Sequence, residues 1–402
     1  MSNAPILSIV IPTKNRQPYL AKLLRCLLMM ESRDFEVIVH DNSDDRSLYD
    51  KLCGGIIDPR LRYFYSPGSM SMTENCERGI GLAEGSYVCM IGDDDGVTES
   101  LVDVARWMKS IGVDAAVAAV PTYLWPGVSS KLDGEQTHGI LRLPRYSGRI
   151  QFIDESAALD RVLSSGGIRI ADLPSVYQGV ISKRALVELK RRAGTYFPGP
   201  SPDMANAVGL SAVIVRFVKI DLPLVISGSC PSSGAAEGAR HGHEGEIADK
   251  PFLSADTAAT WPREVPYYFS GPTLYASSVI RALLATQRAP ILQQLRFDRL
   301  YAACAVFNPR YRGRVAEARA KNATLVSSPA FLVAIGWIWW LRAKILIKNL
   351  RDKAAVTKRS DRRAAGLPDI GAAVEYVMAR FGRDQFRALV INDALTSRGP
   401  VV

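Results

Sequence analysis

The sequence has 402 residues, of which 48% are hydrophobic and 22% are charged. These values are ordinary for a globular protein and exclude a largely disordered or fibrous chain. The length allows two or three domains, or one large domain with an appendage. The net charge of +10 is unevenly placed, because residues 281–366 carry 18 Lys and Arg against four acids, or +14, which leaves −4 for the rest. Such a basic segment suits nucleic acid, an anionic membrane or a solvated face.

The cysteines and the N-terminus indicate the compartment. None of the six cysteines forms a CxxC pair, and they are scattered along the chain. This pattern predicts reduced thiols rather than disulfides or a zinc site. A strand-like run begins almost at once, at residues 7–11, so we expect no signal peptide and a cytoplasmic protein.

The first part of the chain alternates strands and helices. The apolar patterns predict strands at residues 7–11, 35–39, 60–66, 86–92 and 113–120, and helices at 19–28, 75–83 and 100–112. This alternation predicts an α/β fold with a doubly wound, mostly parallel sheet. Ligands of such sheets bind at the carboxyl ends of the strands. That rule brings Pro12–Arg16, Asp41–Asp45 and Gly92–Asp95 to one edge.

The remainder divides into less regular segments. Residues 129–148 read as a loop, residues 173–194 as a strand and a helix, and residues 219–228 as strand-like, while Asp203 begins an apolar helix. Ser227–Asp249 is rich in Gly, Ser and Ala, which suits a mobile lid. From about Lys250 the chain is helical in character. We therefore expect a catalytic domain at 1–250 and a helical, basic C-terminal region at 251–402.

Three aspartates stand together at the end of a predicted strand, in the stretch MIGDDDGV from Met90 to Val97. Adjacent carboxylates can ligate a hard divalent cation, accept hydrogen bonds from sugar hydroxyls, or cap the following helix. Capping explains one or two acids but gives no reason for three. The cluster therefore favours a metal or ligand site.

Four stretches in order resemble the family 2 glycosyltransferases, which use nucleotide sugars and have an A-type fold. They are SIVIPTKNR, EVIVHDNSDD, the helix SMTENCERGIGLAEG and the acidic stretch SYVCMIGDDDGVTESL. The resemblance covers roughly residues 6 to 110 and becomes looser as far as Asp203. It implies a nucleotide-diphospho-sugar donor, with a UDP-sugar the commonest, and Mn²⁺ or Mg²⁺ as the metal.

The resemblance also implies roles for single residues. Asp41 is similar to the acid that contacts the nucleotide base. The alternative role of Asp41 is that of an ordinary turn residue. The residues implied to line the nucleotide pocket are Pro12, Thr13, Asn15 and Arg16, where Arg16 could equally be a surface charge. Asn75 resembles a polar residue that faces the donor, although in many relatives the Asn comes two positions later, where this chain has Glu77.

The acidic stretch departs from the usual Asp-x-Asp-Asp pattern. When DDGVTESL is aligned with the end of the family pattern, Gly92 falls at the position of the first Asp. Asp94 then falls at the metal-binding position, with Asp95 beside it. Asp93 falls at the variable position, within reach of ribose or donor. The register Asp93-x-Asp95 stays open. Two histidines of the predicted lid, His241 and His243, could ligate the metal or contact phosphate, or could simply be solvated.

The implied chemistry is inverting transfer to a hydroxyl. A bound divalent ion would stabilise the charge on the leaving diphosphate. The attacking hydroxyl must lose a proton, and Asp203 is the candidate base, as in relatives with a similar PD motif. Helix capping is the alternative role for Asp203.

The C-terminal region contains an apolar stretch with three Trp residues, within PAFLVAIGWIWWLRAKILIKNLRDK. Trp prefers the headgroup level, and the Lys and Arg that follow suit anionic lipid. The composition of residues 328–353 thus predicts peripheral docking on the inner face of the plasma membrane. For an enzyme at that surface we expect a glycan or lipid-linked acceptor, in polysaccharide or cell-surface glycan biosynthesis. The alternative for this helix is burial in the core or in a dimer interface. The alternatives for the whole protein are a nucleic-acid-binding protein and an inactive glycan-binding scaffold. We expect no nucleic-acid partner, and the oligomeric state stays open.

Overall fold

The computed structural model describes residues 4–53, 58–129, 138–233, 244–356, 362–382, 386 and 388. Its centre is an eight-stranded sheet with the strand order β3-β2-β1-β4-β10-β6-β11-β9. Four of its seven strand pairs are parallel. The strands are β1 (Leu7–Thr13), β2 (Phe35–Asp41), β3 (Leu61–Tyr65), β4 (Tyr87–Met90), β6 (Ala115–Ala118), β9 (Ile150–Phe152), β10 (Gly179–Ser182) and β11 (Phe217–Ile220). The predicted doubly wound, mostly parallel α/β sheet is confirmed.

A second sheet of five short strands lies beside the acidic stretch. Its order is β13-β8-β7-β12-β5. The strands are β5 (Gly96–Val97), β7 (Thr122–Leu124), β8 (Ile140–Arg142), β12 (Val225–Ser229) and β13 (Arg363–Ala365). Because β5 follows the aspartates directly and pairs with β12, this sheet fixes the exit of the acidic stretch.

Helices cover both faces of the large sheet. The described helices of this part of the chain are α1 (Gln17–Leu28), α2 (Ser47–Cys53), α3 (Met72–Gly81), α4 (Ser100–Ile111), α5 (Glu155–Ser164), α6 (Lys183–Ala193) and α7 (Pro202–Leu210). The core joins α1 and α4 to one face and α3 and α6 to the other. Along β1, Leu7, Ile9 and Ile11 join the core beneath α1, whereas Val10 joins the core on the other face. Successive side chains of a strand point to opposite faces, so β1 is apolar throughout and buried on both sides.

The part after residue 250 is mainly helical. It contains α8 (Gly271–Ala285), α9 (Phe297–Phe307), α10 (Arg312–Lys321), the long α11 (Ser328–Val356) and α12 (Ile370–Arg380), with short 3₁₀ turns at Ala289–Gln294 and Pro309–Tyr311. The predicted helical C-terminal part is confirmed. One described helix, over Ser328–Ile347, is long and apolar enough to cross a bilayer, and 11% of its most apolar stretch is buried.

The end of the described chain returns to the first part of the molecule. β13 pairs with β8, and Ile370, Ala373 and Val377 of α12 join a core with Tyr123 and Ile226. Residues 363–380 therefore pack against the unit that holds the acidic stretch. The division into domains at residue 250 stays a prediction.

Two segments differ from their predicted form. Residues 138–148, predicted as loop, include β8, whose Ile140 and Leu141 are buried. The single strand predicted at 219–228 is two strands in different sheets, β11 and β12. Pro223 lies between them and cannot donate a ladder hydrogen bond, so the chain breaks there and changes sheet.

Candidate active site

A cavity of about 660 Å³ opens at the carboxyl ends of β1 and β4. It is the place where the parallel-sheet rule predicts a ligand. The predicted site residues that line it are Pro12, Thr13, Arg16, Asn75, Asp93, Asp94 and Asp203. Residues from four separate predicted segments are therefore brought together in one cavity.

Asp93 is held in place by the end of β1. Thr13 Oγ1 donates a 2.6 Å hydrogen bond to Asp93 Oδ2, and Arg16 Nη2 lies 3.0 Å from Asp93 Oδ1. The carboxyl is 2% exposed. Burial raises its pKa, while the Arg16 charge opposes that shift. Asp93 is thus a fixed acid whose ionised form depends on a neighbouring cation.

Asp94 is anchored by β12 and the residue after it. The backbone N–H of Cys230 donates to Asp94 Oδ2 at 3.0 Å, and Arg16 Nη2 lies 2.7 Å from the same oxygen. The Trp125 indole donates to the Asp94 backbone carbonyl at 2.9 Å. A Cβ on Gly228 would lie 1.8 Å from that carbonyl oxygen, so only glycine allows β12 this close approach.

Asp95 turns away from the cavity. Its Oδ1 accepts from the backbone N–H of Gly228, and its Oδ2 accepts from the Gly92 N–H, the Tyr177 hydroxyl and the Gln178 amide, at 2.7 to 3.2 Å. These bonds clamp the acidic stretch to its neighbours. A metal-ligand role for Asp95 would require some of them to break, so in this arrangement Asp93 and Asp94 are the acids that face the cavity.

Gly92 stands where the family pattern has its first acid. A Cβ there would lie 3.1 Å from Asp94 Oδ1 and 3.4 Å from Asp95 Oδ2. A fourth carboxylate would therefore crowd two existing ones, and like charges at this distance repel. The glycine keeps the turn compact and leaves its N–H to Asp95.

The donor set fits a hard divalent cation that shares its coordination with a substrate. Asp93 Oδ1 and Asp94 Oδ2 converge on one point, which is marked by Arg16 Nη2. Asp93 Oδ1 is buried, and apart from its ion pair with Arg16 it has no hydrogen-bond partner among the described residues. Within the described ranges no group of three or more His, Cys, Asp or Glu could hold a metal by itself. Two carboxylates completed by phosphate oxygens and water are the usual environment of Mg²⁺.

Asp203 lies at the beginning of α7, on the wall that this cavity shares with a second one of about 350 Å³. Burial raises the pKa of its carboxyl to about 6. The carboxyl accepts no hydrogen bond from the described residues, and α7 has no side-chain cap. The capping alternative therefore finds no support in these contacts, and the carboxylate is available to a ligand.

Three helices begin at the cavity. The residues that precede α1, α3 and α7 are Arg16, Ser71 and Ser201, and all three line it. Ser71 caps α3 through a capping box, whereas α1 and α7 have no side-chain cap. Helix N-termini favour anions because their first N–H groups are unpaired and the helix dipole is positive there.

Asn75 lines the cavity as part of a buried polar network. Its amide nitrogen donates to the Thr13 carbonyl and to Asn42 Oδ1, and its oxygen lies 2.6 Å from His40 Nδ1. Asn42 Nδ2 is buried without a hydrogen-bond partner among the described residues. An amide donor at the cavity wall is thus left for a ligand.

Asn15 and Asp41 lie beside the cavity rather than in its lining. Asn15, at a positive φ of 55°, links two loops through its 2.7 Å bond to Asp44. Asp41 is fully buried; it accepts from the Ser43 N–H at 2.8 Å and from the Tyr63 hydroxyl at 2.6 Å. Their roles toward a nucleotide stay predictions, and contact with Asp41 would require Tyr63 or Ser43 to move.

The two predicted lid histidines, His241 and His243, lie outside the described residues. Sequence reasoning missed other contributors, of which Asn42, Tyr177, Gly228 and Cys230 are the clearest. Asn42 follows Asp41 directly and could have been found from that motif. Tyr177 and Cys230 lie more than 80 residues from the acids they contact, and no local pattern marks them.

The strand order, the acidic turn after β4 and the helix N-termini define an α/β protein whose cavity brings carboxylates and anion-favouring helix ends together. Residues 8–167 match the sequence model of glycosyl transferase family 2. This match confirms, over that segment, the resemblance seen in the motifs.

Relatives and solved structures place this match in context. A Campylobacter jejuni GalNAc(5)-diNAcBac-PP-undecaprenol beta-1,3-glucosyltransferase is 32% identical over 95 residues, which are 23% of this chain and 30% of that protein. The glycosyltransferase GlyG of Streptococcus pneumoniae is 27% identical over 101 residues, 24% of this chain and 33% of that protein. The matched regions thus span about a third of each relative.

Two solved structures are also similar. S. aureus TarS 1-349 in complex with UDP-GlcNAc has a TM-score of 0.44 at 15% identity, covering 98% of this chain and 94% of that one. The mannosyltransferase PcManGT from Pyrobaculum calidifontis, in complex with GDP-Man and Mn²⁺, has a TM-score of 0.42 at 18% identity, covering 88% of this chain and 87% of that one.

Proposed function

We propose that the protein is a metal-dependent, inverting glycosyltransferase that uses a nucleotide-diphospho-sugar. The observation that carries this proposal is the convergence of Asp93, Asp94 and Asp203 on one cavity at the carboxyl ends of the strands. The match of residues 8–167 to the model of glycosyl transferase family 2 supports the reaction class. The named relative from Campylobacter jejuni is itself a glucosyltransferase.

The donor half of the cavity suits a nucleoside diphosphate. Asp93 and Asp94 would hold Mn²⁺ or Mg²⁺, which supplies Lewis-acid stabilisation to the leaving diphosphate. The uncapped N-termini of α1 and α7 present N–H groups to phosphate oxygens. A UDP-sugar is the donor we propose, in line with the commonest donor of the family.

The acceptor half contains the base. Asp203 and Tyr177 border both cavities, and the second also contains the 2.7 Å ion pair of Lys219 with Asp172. An acceptor hydroxyl that enters from this side would meet Asp203 before it meets the donor. A carboxyl whose pKa is raised to about 6 is ionised at neutral pH and is a stronger base than an ordinary Asp. Attack from the side opposite the leaving diphosphate inverts the anomeric centre.

The acceptor we propose is a glycan or a lipid-linked glycan of polysaccharide or cell-surface biosynthesis, met at the membrane. Support comes from α11, which packs on α9 through Ala334 and Ile338 and exposes Trp339 and Trp340 at 55% and 54%. Because its first half stays packed on the protein, we propose that α11 lies in the plane of an anionic membrane surface on the cytoplasmic side. Binding to anionic vesicles tests this placement.

Nucleoside diphosphates with and without Mn²⁺ test the donor site. We expect one of UDP, GDP and TDP to raise the melting temperature most, and Mn²⁺ to enlarge that increase, because a ligand that binds only the folded state stabilises it by about 2.7 kcal/mol at 100 times Kd. For the variant D94N, we expect Mn²⁺ to add no further increase in the melting temperature. The matched control is D160N, which changes an exposed acid of α5 in the same way. No increase with any nucleotide, or an undiminished Mn²⁺ effect in D94N, would contradict the proposal.

A further inference from the structure

Arg16 occupies the point where the two cavity-facing acids converge. Its Nη2 lies 3.0 Å from Asp93 Oδ1 and 2.7 Å from Asp94 Oδ2. A metal bound to the same two oxygens would lie about 2.0 to 2.6 Å from each of them. The guanidinium and a divalent cation therefore cannot use these oxygens together in this arrangement.

The guanidinium is incompletely satisfied where it lies. One nitrogen serves both carboxylates and also contacts Cys230 Sγ at 3.2 Å, whereas a favourable guanidinium–carboxylate pair uses two parallel N–H bonds. Arg16 Nε is buried and has no hydrogen-bond partner among the described residues. The contact thus neutralises the acids without the geometry of a permanent ion pair.

The position of Arg16 also allows its side chain to reach a diphosphate bound in the cavity. It precedes the first residue of α1, lines the cavity, and its side chain is 22% exposed. A diphosphate in the same cavity offers phosphate oxygens in the planar, two-point arrangement that a guanidinium prefers. Burial opposes the charge of Arg16, but Asp93, Asp94 and Cys230 together raise the pKa of the guanidinium, so it is a cation where it lies.

We propose that Arg16 is a built-in cation that holds Asp93 and Asp94 in the resting protein and yields them to the metal when a nucleoside diphosphate offers it phosphate oxygens. This inference rests on the proposed donor site and adds an order of events to it. Metal alone must compete with Arg16 and binds weakly, whereas the diphosphate removes the competitor. Metal and nucleotide therefore bind cooperatively, and by linkage each raises the affinity of the other by the same factor.

Mn²⁺ binding without any nucleotide tests the competition. Free Mn²⁺ is counted by electron paramagnetic resonance during titration of the wild type, R16Q and K14Q. We expect R16Q to bind Mn²⁺ alone at least fivefold more tightly than the wild type, and the enhancement by UDP to shrink. Lys14 lines the same cavity but makes no ion pair with these acids, so K14Q removes the same charge and should change the affinity much less.

The outcomes separate the two proposals. Equal affinities of wild type and R16Q, or an equal gain in K14Q and R16Q, overturn the role of Arg16 and leave the metal site standing. If no variant binds Mn²⁺ even with UDP, the metal site is wrong and the role of Arg16 falls with it. Should R16Q fail to fold, the Arg16 Nε–H resonance of the wild-type protein gives the same test. It should move on addition of Mg²⁺ with UDP and stay unchanged with Mg²⁺ alone.

Discussion

At the scale of single residues, Asp203 is the side chain whose environment and proposed role fit most directly. Its carboxyl lies between two cavities, accepts no hydrogen bond from the described residues, and has a pKa raised by burial from 3.8 to about 6. The folded protein therefore binds this proton more tightly than the unfolded chain does. Above pH 6 the ionised carboxylate costs stability, which is a common expense of an active-site base.

The variant D203N should reveal that cost. Replacement removes the ionisation, so we expect the free energy of unfolding at pH 8 to rise by about 1 to 3 kcal/mol relative to the wild type. The gain should be smaller by about 1 kcal/mol at pH 5, because there the folded carboxyl is mostly protonated while the unfolded one is ionised. Urea unfolding at both pH values measures it. D160N is the control. A gain in the free energy of unfolding of D203N over the wild type that is smaller at pH 8 than at pH 5 would contradict this role of burial.

The sequence identified the acidic stretch but could not assign its members. Asp93, Asp94 and Asp95 are chemically identical and adjacent, so only distant contacts distinguish them. Thr13 and Arg16 hold Asp93, Cys230 holds Asp94, and the Gly228 N–H takes Asp95 out of the cavity. No local pattern in MIGDDDGV contains that information.

At the scale of elements, α11 exposes seven large apolar side chains along its described part. Beyond Leu341 every described side chain as far as Ile347 is exposed, including Ile345, Leu346 and Ile347 at 57%, 59% and 50%. Arg342 lies 5.1 Å from the ring of Trp339, and Lys344 lies 4.7 Å from that of Trp340. Aromatic rings beside cations are the composition that binds the headgroup layer of anionic lipid.

Vesicle sedimentation tests the docking of α11. We expect the wild type to bind vesicles containing phosphatidylglycerol and to bind pure phosphatidylcholine weakly, since each basic residue near an anionic surface contributes about 1 kcal/mol. The double variant W339S/W340S should bind at least tenfold more weakly, through lost apolar burial. V215S/L284S, which changes two exposed apolar residues elsewhere, is the matched control.

Three outcomes would contradict the docking. They are absence of wild-type binding, unchanged binding of W339S/W340S, and preference for duplex DNA over vesicles at physiological salt. If W339S/W340S instead converts a dimer to a monomer in light scattering, the face of α11 joins two copies of the chain rather than a membrane.

Elements were predictable where their pattern is local. Strands β1, β2, β3, β4 and β6 and helices α1, α3 and α4 follow from apolar periodicity, which predicts α3 within three residues of its beginning at Met72. The short strands β8 and β13 were not foreseen, because three-residue strands carry no periodic signal. β13 pairs with β8, more than 200 positions away in the sequence, and β8 also pairs with β7.

At the scale of the whole molecule, α12, near the end of the described chain, packs beside the candidate site. Ile370 and Val374 of α12 come so close to Gly96 that a Cβ there would lie 2.9 Å from each. Helix α12 therefore supports β5, the strand that leaves the acidic stretch. Such long-range closure depends on the final packing, and the composition of the C-terminal region, basic and helical, gave no indication of it.

We propose that the protein transfers a sugar from a nucleotide-diphospho-sugar bound in this cavity, with Asp203 as the base. The most direct measurement follows UDP-, GDP- and TDP-sugars by ³¹P nuclear magnetic resonance in the presence of Mn²⁺, with water as the acceptor. We predict that the wild type releases the nucleoside diphosphate from at least one donor, and that D203N still binds that donor but releases it at least 100-fold more slowly. Bound donor that is never consumed by the wild type, or equal release by D203N, would contradict the account.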